Sequence, residues 1–570
     1  MKKNIKISLL VAALTLGLTA CQKRDFLAPP PITVALDLQK TFSDEINTSK
    51  FLANCYAPLV GGLDDFGNGQ NYAQLSDEAE AGPAYLATNG ANFGAVDATN
   101  NLDNFYAPLY VNIRRTNVLI ANSGLMTFTP ASKARFVAEA RFLRAFYYFE
   151  LVKRIGGVPL LTSAVTFEEL KDAASQQAYK DALKRASFAD CVDFIVKELT
   201  IAEADLPWAP ANDNDRGRAT AAACVALKAK TLLYAASKLF NNETPAPAGQ
   251  PGSITRPDIG YTSYDKNRWK LAADACRDFL AKNVANGNWY ALYTGGYDKL
   301  FTESRDAANH ELIWYRQSMD NGPIYSNPGG RLGGYSHNQI LVNLVDKYEM
   351  LNGKTKDEAG SNYDEQKWWE NRDPRLAFTV LKNGDNFKGY NLEFWSNQGG
   401  VTSGQDYQDN YKTSLFFKKF QRTDANTGVQ KWHYLRLADI YLMLAEAENE
   451  YNGPGNAYQY VNIIRKRTGV NMPDLVTGLT QVQMREKIRN ERAVEFALEA
   501  QRYYDVRRWM IAENIDNGPV YGFKITRIAG IVKYDRYVIE NRIFQKRMYL
   551  AAIPIAEVYK GTAVEQNPGY

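Results

Sequence analysis

The sequence predicts a mostly α-helical protein that carries an irregular, loop-rich lobe. Apolar residues within 138–152 recur at steps of four and three, which places them on one face of a helix. Alanine recurs at close-contact positions within 219–240 and 267–284, a pattern that lets paired helices approach closely. From about 286 to 430, glycine, asparagine, aspartate and aromatic residues alternate without a long helical stripe. Long irregular segments in a compact protein usually carry function, so we expect this lobe to hold the site.

The chain begins with a predicted signal peptide. Three lysines precede a short apolar run at 7–17, which is too short to span a bilayer comfortably. The string Leu18-Thr19-Ala20-Cys21 resembles a bacterial lipobox, in which the cysteine is acylated and becomes the new N-terminus. We therefore expect loss of residues 1–20 and a lipid anchor on Cys21; an ordinary secretory signal is the alternative. A tether with three consecutive prolines follows, from residue 22 to about 41.

Helical patterns dominate the chain outside the lobe. The helix that contains 138–152 is expected to end at Gly156-Gly157, because glycine commonly follows the last helical position. Antiparallel helix pairs of this kind resemble tetratricopeptide hairpins, although insertions such as 241–266 leave no clean period of roughly 34 residues. The tail 549–555 is predicted to be a short buried strand or extended segment. The other helices are predicted at about 105–123, 187–205, 219–240, 267–284, 433–451, 456–468 and 483–512.

The balance of charge argues against a nucleic-acid partner. The 570-residue chain has 67 basic and 63 acidic residues. Removal of the signal peptide takes away three lysines and no acidic residue, so the mature chain has 64 basic residues against 63 acidic ones. No later stretch approaches about eighteen uninterrupted apolar residues, so we expect a lipid tether and no membrane-spanning helix.

Metal and cofactor chemistry lack support in the sequence. The three histidines have no metal-ligand spacing, and there is no C-x-x-C pair. The string 212–217 resembles a calcium loop, but Arg216 occupies a ligand position and Ala223 stands where a bidentate glutamate is required. We expect no bound metal and no cofactor. Of the four cysteines after Cys21, the three in helical patterns, Cys191, Cys224 and Cys276, are expected to be buried free thiols, although exported proteins also form disulfides. These histidines and cysteines are His310, His337, His433, Cys55, Cys191, Cys224 and Cys276.

Three glutamates on one predicted helix are the best candidates in the sequence for a catalytic pair of carboxyl groups. The sequence lacks the G-x-S-x-G, H-E-x-x-H and P-loop strings. Glu491, Glu495 and Glu499 follow at steps of four, so they point the same way, whereas a glycosidase needs two carboxyl groups facing each other across a sugar. We interpret them as a structural salt-bridge ladder. Candidate partners are Arg436, Arg465, Arg467, Arg492, Arg502, Arg507 and Arg508.

A set of strings spread along the chain carries a family resemblance. The strings are 139–149 (EARFLRAFYYF), 156–160 (GGVPL), 371–376 (NRDPRL), 435–447 (LRLADIYLMLAEA), 462–467 (NIIRKR), Glu491-Arg492 through Arg502, Asp505 and Arg508-Trp509, and 566–570 (QNPGY). Together with the lipobox, and in this order, they resemble the SusD/RagB family of surface-exposed nutrient-binding lipoproteins of Bacteroidetes. The matches cover essentially the whole chain.

The resemblance implies both a fold and a function. It implies a tetratricopeptide-like helix-pair scaffold, with a signal peptide at 1–20, an N-terminal domain at 21–240 and a C-terminal domain at 241–570 that includes the irregular lobe at 286–430. It further implies a non-enzymatic, lipid-anchored protein on the cell surface, which binds oligosaccharides and delivers them to a SusC-type TonB-dependent outer-membrane transporter for import. Relatives of the RagB kind take peptides instead. A surface glycoside hydrolase is the alternative from a different functional class.

Aromatic residues in irregular segments are the candidate ligand contacts. Sugar rings present apolar C–H faces beside many hydroxyls, which suits aromatic platforms with arginine, asparagine or aspartate nearby. Tyr335 stands between Gly333-Gly334 and Ser336, and Trp395 precedes a polar, glycine-containing run, so both rings are predicted to project from the backbone. The candidate ligand-binding residues are Tyr335, Trp395, Arg331, Tyr325, Asn338, Tyr85, Phe93, Tyr72 and Asp77.

Overall fold

The structure is a computed structural model, and it describes residues 38–59, 61–165, 167–302, 309–316, 322–397, 402–421, 431–560 and 564–570. The predicted signal peptide and Cys21 lie outside these residues. The tether, predicted to reach about residue 41, ends earlier, because the first helix begins at Leu38. Within the described residues, no helix is both long enough and apolar enough to cross a membrane.

Helices dominate the described residues, which confirms the predicted fold class. Those before the lobe are α1 (Leu38–Phe42), α2 (Glu45–Tyr56), α3 (Ala87–Asn92), α4 (Tyr106–Ala121), α5 (Pro130–Ile155), α6 (Ala173–Ala182), α7 (Phe188–Glu203), α8 (Ala221–Ala236) and α9 (Asn267–Ala285). The later ones are α10 (Lys299–Thr302), α11 (Gly322–Ser326), α12 (Val342–Val345), α13 (Arg375–Thr379), α14 (Leu437–Asn452), α15 (Ala457–Arg465), α16 (Gln481–Glu495), α17 (Gln501–Arg508), α18 (Ala512–Ile515) and α19 (Ile555–Val558).

Strands are short apart from one hairpin. They are β1 (Ala79–Ala81), β2 (Leu312–Arg316), β3 (Asn338–Ile340), β4 (Val380–Leu381), β5 (Asn386–Phe387), β6 (Tyr390–Asn391), β7 (Ser396–Asn397), β8 (Phe416–Phe417), β9 (Trp432–Arg436), β10 (Gly518–Ile528) and β11 (Ile531–Arg542). Single 3-10 turns lie at Tyr72–Leu75, Asn122–Leu125, Phe167–Leu170, Asp213–Asp215, Gly330–Leu332, Glu365–Lys367, Pro454–Asn456 and Lys546–Tyr549.

The long helices form one continuous array. Helix α4 packs on α5, α5 on α7, α7 on α8, and α8 on α9; the array then continues from α9 directly to α14 and α15. The small side chains of α8 and α9 allow this close approach, since Ala222, Ala226 and Ala272 are fully buried between the helices. The chain therefore leaves the array after α9, builds the lobe, and returns at α14.

Helix α5 shows how local sequence sets the element boundaries. Its first turn is capped by the Thr129 hydroxyl, which accepts a hydrogen bond from the Ser132 N–H at 3.2 Å, and Pro130 occupies the first helical position. Gly156 follows the last helical residue with a φ of +93°, a conformation that glycine tolerates best. The predicted stop at Gly156-Gly157 is confirmed.

Two predicted helices have wrong boundaries. Residues 433–436 belong to β9, which pairs antiparallel with β2, so helix α14 starts only at Leu437. The segment predicted as one helix at 483–512 is broken between α16 and α17, where Leu498 and Ala500 have φ values of +64° and +58°. A tertiary contact accompanies the break, because the Leu498 N–H donates to the carboxylate of Glu78 at 3.0 Å.

The irregular lobe has its own apolar core. The lobe contains a four-stranded sheet in the order β1-β3-β8-β4. The long hairpin β10–β11 forms a separate three-stranded sheet with β7, which runs parallel to β10. Buried Phe523 and Ile525 of the hairpin pack in this core with Phe416 and Trp368. The hairpin was not predicted from the sequence; it contributes a wall of the lobe from far along the chain.

The three glutamates of the predicted ladder lie at the junction between array and lobe. We call this group, with its partners, the junction cluster. Glu495 is fully buried and accepts from Arg436 at 2.6 Å, Arg467 at 2.5 Å and Arg375 at 2.9 Å. Burial alone raises the pKa of Glu495, but the attraction of these guanidinium groups outweighs it and lowers the pKa well below its usual range. The remaining members of the cluster are Glu311, Asp373, Lys419, Arg465, Glu491 and Glu499.

The predicted salt-bridge role of the ladder agrees with these contacts, and the partners come from tertiary structure. Nearby arginines of the same chain segment pair elsewhere: Arg502 with Asp77, and Arg508 with Glu446. Arg375 and Lys419, which lie in the lobe, were not among the predicted partners. The cluster therefore joins the lobe to the array.

The prediction of buried free thiols at Cys191, Cys224 and Cys276 is confirmed, and the calcium-like loop has ion-pair partners within the chain. Cys55, Cys191, Cys224 and Cys276 are all buried free thiols. In the loop, Asp215 forms ion pairs with Arg135 and Arg218, so its carboxylate serves the scaffold. The tail is extended over 551–554, with Ile553 buried, before α19 begins.

Candidate ligand-binding surface

Four aromatic rings converge on the outer face of the lobe. We call Tyr85, Tyr325, Tyr335 and His337 the aromatic platform. The Tyr325 ring stacks on His337 with centroids 5.2 Å apart and an interplanar angle of 25°. Tyr335 lies 5.4 Å from Tyr325 and 5.6 Å from His337. Tyr85 stands edge-on to His337 at 6.1 Å, so the platform has a nearly perpendicular ring at one end.

Two backbone segments of the lobe hold the platform rings. The N–H of Tyr335 donates to the Ile324 carbonyl at 3.2 Å, and the N–H of His337 donates to the Tyr325 carbonyl at 2.8 Å. These bonds bring together two stretches of chain about ten positions apart. The turn between them requires left-handed backbone at Gly333, with a φ of +65°.

The N-terminal region supplies the floor of the platform. The Asn68 carbonyl lies 2.6 Å from Nδ1 of His337, and the Tyr85 hydroxyl lies 3.2 Å from Nε2. Both ring nitrogens are therefore engaged, which fixes the plane of the imidazole. Gly69 makes a close approach beneath Tyr325, where an added Cβ would lie 2.3 Å from the tyrosine Cβ. The platform thus depends on contacts between residues more than 250 positions apart in the chain.

The platform leaves apolar ring surface uncovered. Tyr85 is 75 % exposed and Tyr335 is 54 % exposed, while His337 is buried beneath them. Ile324, next to Tyr325, is also exposed. Contiguous exposed apolar surface on a soluble protein marks an interaction site more often than a scattered exposed side chain does. The arrangement offers flat faces for stacking, with hydroxyl groups at their edges for hydrogen bonding.

Asn338 lies behind the platform and supports it. It is fully buried, and its side-chain oxygen accepts from Asn71 and Gln74, each at 2.7 Å. Its amide donates to the Gly69 carbonyl at 3.1 Å and to the Ser326 hydroxyl at 3.0 Å. Asn338 was predicted to touch the ligand, but its burial and saturated bonding make it a positioning residue for the loop under Tyr325.

Tyr72 and Asp77 are also withdrawn from the ligand-binding set, because both are buried. The Tyr72 hydroxyl donates to Asp103 at 2.7 Å and its ring packs in the helical core. Asp77 forms a two-pronged pair with Arg502 at 2.7 and 2.9 Å. Burial opposes the charge on Asp77, but Arg502 outweighs it and lowers the pKa of the carboxyl. Both side chains are therefore shielded from solvent and engaged by partners within the protein.

Three further predicted ligand contacts, Arg331, Trp395 and Phe93, lie on the surface of the lobe or beside it. Arg331 and Trp395 contact residues outside the aromatic platform. Arg331 forms an ion pair with buried Asp406 at 2.6 Å. Trp395 is half-buried against the lobe core, and the guanidinium of Arg527 covers its ring at 4.8 Å, so the ring projects less than the sequence predicted. Phe93 is half-exposed at the end of α3. These three side chains therefore have no stacking contact with the platform among the ring contacts described.

His337 is the platform residue that was not predicted from the sequence. It follows Tyr335 by two positions, but Ser336 between them has a φ of +57°, so the segment is not a regular strand and no local spacing marks the histidine. The other two histidines lie elsewhere: His310 stacks on Trp289 at 4.2 Å, and His433 is buried beside the junction cluster. Within the described residues no group of three or more histidine, cysteine or acidic side chains could hold a metal ion.

Comparisons with known proteins agree on one family. A profile described as the SusD family matches residues 301–570, and a profile described as "Starch-binding associating with outer membrane" matches residues 37–233. The SusD-like protein P25 of Formosa agariphila is 25 % identical over 438 residues, which cover 73 % of this chain and 71 % of the relative.

Solved structures of SusD-like proteins have the same fold. A SusD-like protein from Bacteroides fragilis aligns with a TM-score of 0.73 at 24 % identity, covering 95 % of this chain and all of that one. A laminarin-binding SusD-like protein aligns with a TM-score of 0.59 at 21 % identity, covering 92 % of this chain and 99 % of that one.

Proposed function

The chain belongs to the SusD/RagB family, and on that premise we propose that it is a glycan-binding lipoprotein of the bacterial outer membrane whose ligand lies on the aromatic platform. In this proposal it binds oligosaccharides at the cell surface and passes them to a SusC-type TonB-dependent transporter. The names of related proteins support a glycan, since one profile is described as starch-binding and one structural relative as laminarin-binding.

The exposed faces of Tyr85 and Tyr335 are the observation that carries the proposal. A sugar ring stacks its C–H face on an aromatic ring and leaves its hydroxyls at the edge, where tyrosine hydroxyls can bond them. For a flat base on an aromatic ring, stacking contributes about 1–3 kcal/mol, which we take as an upper guide for a sugar.

A binding role is favoured over a glycosidase because the clustered acids are already engaged. Hydrolysis by the usual route needs two carboxyl groups that face each other across open space wide enough for a sugar. Glu491, Glu495 and Glu499 instead accept from buried arginine and lysine side chains in the junction cluster. They therefore neutralise buried cations, a scaffold task.

The test of the proposal is a panel of native affinity gels. The gels contain laminarin, starch, xylan, arabinan, galactan, mannan, pectin or fructan, and a casein digest is tested separately by calorimetry. We expect the wild type to be retarded by at least one polysaccharide without releasing reducing ends, and Tyr335→Ala to lose that retardation. Retardation in no gel together with peptide binding would favour the peptide-binding alternative. Release of reducing ends would favour the hydrolase.

Anchoring through Cys21 is tested by fractionation. Because Cys21 ends the string Leu-Thr-Ala, we expect Cys21→Ala to be released from membranes or to remain unprocessed, whereas Cys55→Ala, which changes a buried thiol, should stay in the membrane fraction. Normal processing and membrane retention of Cys21→Ala would contradict the lipid anchor.

A further inference from the structure

We propose that a polar cleft beside the platform is a second saccharide subsite, so that the protein binds a chain of several sugar residues across two sites. The inference rests on the proposed function and extends it. The cleft lies between the hairpin β10–β11 and the loop 402–409, and it has a volume of about 650 Å³. Ligand-binding clefts in proteins commonly measure roughly 300–1,000 Å³.

One wall of the cleft is a face of the hairpin. Lys524 pairs across the strands with Asp535, and Thr526 pairs with Lys533. Residues two apart on a strand and their cross-strand partners share one face of the sheet, so these four side chains point into the same space. Alternate residues, such as Phe523 and Ile525, point into the lobe core and hold this face rigid.

The opposite wall comes from residues 402–409. Tyr407 and Asp409 line it, whereas β7 pairs with β10 in the same sheet and places Asn397 at the edge of the hairpin wall. Asn397 donates its backbone N–H to the Thr402 carbonyl at 2.9 Å, which fixes the end of the wall. A tyrosine ring and a carboxylate thus face the hairpin across the cleft.

The chemistry of the cleft fits a neutral, hydroxyl-rich ligand. Two lysines and two aspartates line it, so their formal charges cancel. Lys533 and Asp535 pair at 2.8 Å while remaining half-exposed. Sugar hydroxyls both donate and accept hydrogen bonds, so ammonium, carboxylate and amide groups can all serve them. A ligand with one dominant charge would meet a like charge on the walls.

The cleft and the platform are separated by one thin segment of chain. Gln408, which lines the cleft, packs against Gly329, where an added Cβ would lie 1.9 Å from the Gln408 amide nitrogen. On the other side, the segment containing Gly329 continues to Tyr335 through the turn at Gly333. Only glycine allows this close packing, and the result is two binding surfaces on either side of the segment 329–335.

The test compares affinity with chain length. Oligosaccharides of two to eight residues are taken from the polysaccharide that retards the wild type, the laminari- series for laminarin or the malto- series for starch. Isothermal titration is carried out with the wild type, Lys524→Ala, Asp535→Ala and Tyr335→Ala. Lys466→Ala is the matched control, since Lys466 is a half-exposed lysine paired with Asp474 at 3.6 Å, away from the cleft.

We expect the wild-type affinity to rise with chain length beyond three or four residues. Lys524→Ala and Asp535→Ala should bind the shortest oligosaccharides as the wild type does and lose about fivefold to tenfold in affinity for the longest. Tyr335→Ala should weaken binding at every length, and Lys466→Ala at none. Equal affinity of both cleft variants and wild type for all lengths would overturn the second subsite while leaving the platform in place. Unchanged binding by Tyr335→Ala would instead overturn the proposed function.

Discussion

The junction cluster and the aromatic platform are assembled in the same way but differ in what they leave unsatisfied. Both combine side chains from distant parts of the chain. In the junction cluster, Glu495 and Arg436 have no exposed surface, and the carboxylate accepts from three arginines. In the platform, the ring nitrogens of His337 are engaged while the faces of Tyr85 and Tyr335 stay open. A cluster whose buried charges are paired with one another holds the fold, whereas one that leaves apolar faces uncovered is available to a ligand.

Because of this difference, we expect substitutions in the two regions to be distinguished by two measurements, protein stability and ligand binding. Changes in the junction cluster should alter the free energy of unfolding and leave the binding of the folded protein unchanged. Changes in the platform should alter binding and leave stability unchanged.

The largest effect is expected for Glu495→Ala. Removal of this carboxylate strands buried guanidinium groups, and breaking a buried ion pair typically costs about 3–5 kcal/mol. The measurement is urea unfolding, with Glu495→Gln as a milder variant in case the alanine protein does not fold. Glu486→Ala, on an exposed position of the same helix α16 with one ion pair to Arg489, is the control and should cost at most about 1 kcal/mol. Equal stability of the Glu495 and Glu486 variants would contradict the structural role.

The next effect concerns His433, which lies beside the junction cluster. Burial lowers its pKa to about 3; Glu499 opposes the shift, and Arg436, Lys431 and Lys419 add to it. The unfolded chain therefore binds a proton below about pH 6.5 that the folded chain does not, so stability falls as pH falls through this range. Between pH 7 and pH 5 the loss from this one group is about 2 kcal/mol.

The variant His433→Phe isolates that contribution. The ring of His433 stacks near Phe301 at 5.3 Å, and neither ring nitrogen has a hydrogen-bond partner within the described structure, so phenylalanine strands no polar group. Between pH 7 and pH 5, the free energy of unfolding should fall by about 2 kcal/mol less in the variant than in the wild type. Urea unfolding of both proteins at both pH values measures this difference. Parallel pH profiles for the two proteins would show that His433 titrates normally.

On the platform side, Tyr335→Ala should weaken glycan binding about tenfold or more, equivalent to ~1.4 kcal/mol, with no change in the unfolding midpoint. Titration calorimetry with the polysaccharide identified by affinity gels is the measurement. Tyr559→Ala is the matched control, because Tyr559 is a highly exposed tyrosine near the C-terminus. A loss of stability without loss of affinity would place Tyr335 with the scaffold.

The smallest effect is expected for Tyr85→Phe. This change keeps the ring and removes the hydroxyl that lies 3.2 Å from Nε2 of His337. A single neutral hydrogen bond contributes about 0.5–1.5 kcal/mol, equivalent to roughly twofold to twelvefold in affinity. Because this bond joins two protein groups and not the ligand, we expect a loss near the lower end of that range, smaller than that of Tyr85→Ala. If the phenylalanine and alanine variants bind equally weakly, the hydroxyl and not the ring face is the main contact.

The helical scaffold could be predicted because its signals are local. The apolar spacing of 138–152, the stop at Gly156-Gly157 and the alanine faces of α8 and α9 act within a few turns of helix, and the structure confirms them. The break at 496–500 could not be predicted, since the Leu498 N–H is bonded by Glu78, more than 400 positions away. The hairpin β10–β11 completes the lobe from the far end of the chain in the same way.

In the candidate site, too, some features follow from local sequence and others depend on long-range contacts. The sequence indicated which residue types belong in a ligand surface, and Tyr85, Tyr325 and Tyr335 do converge. It could not separate them from Tyr72, which has the same chemistry but packs in the core, because burial depends on contacts between distant segments. Nor could it assign Asn338 a supporting role or place His337 beneath the rings.

By itself, the sequence determined the predominance of helices, the position of the irregular lobe between α9 and α14, and the family to which the chain belongs. Those properties depend on short-range periodicity and on strings of neighbouring residues. Only the tertiary structure decided which aromatic rings are open to solvent, which arginine neutralises which glutamate, and which loop meets the hairpin to form a cleft. Burial and pairing are long-range outcomes, and residues of one type take different roles according to what the folded chain places against them.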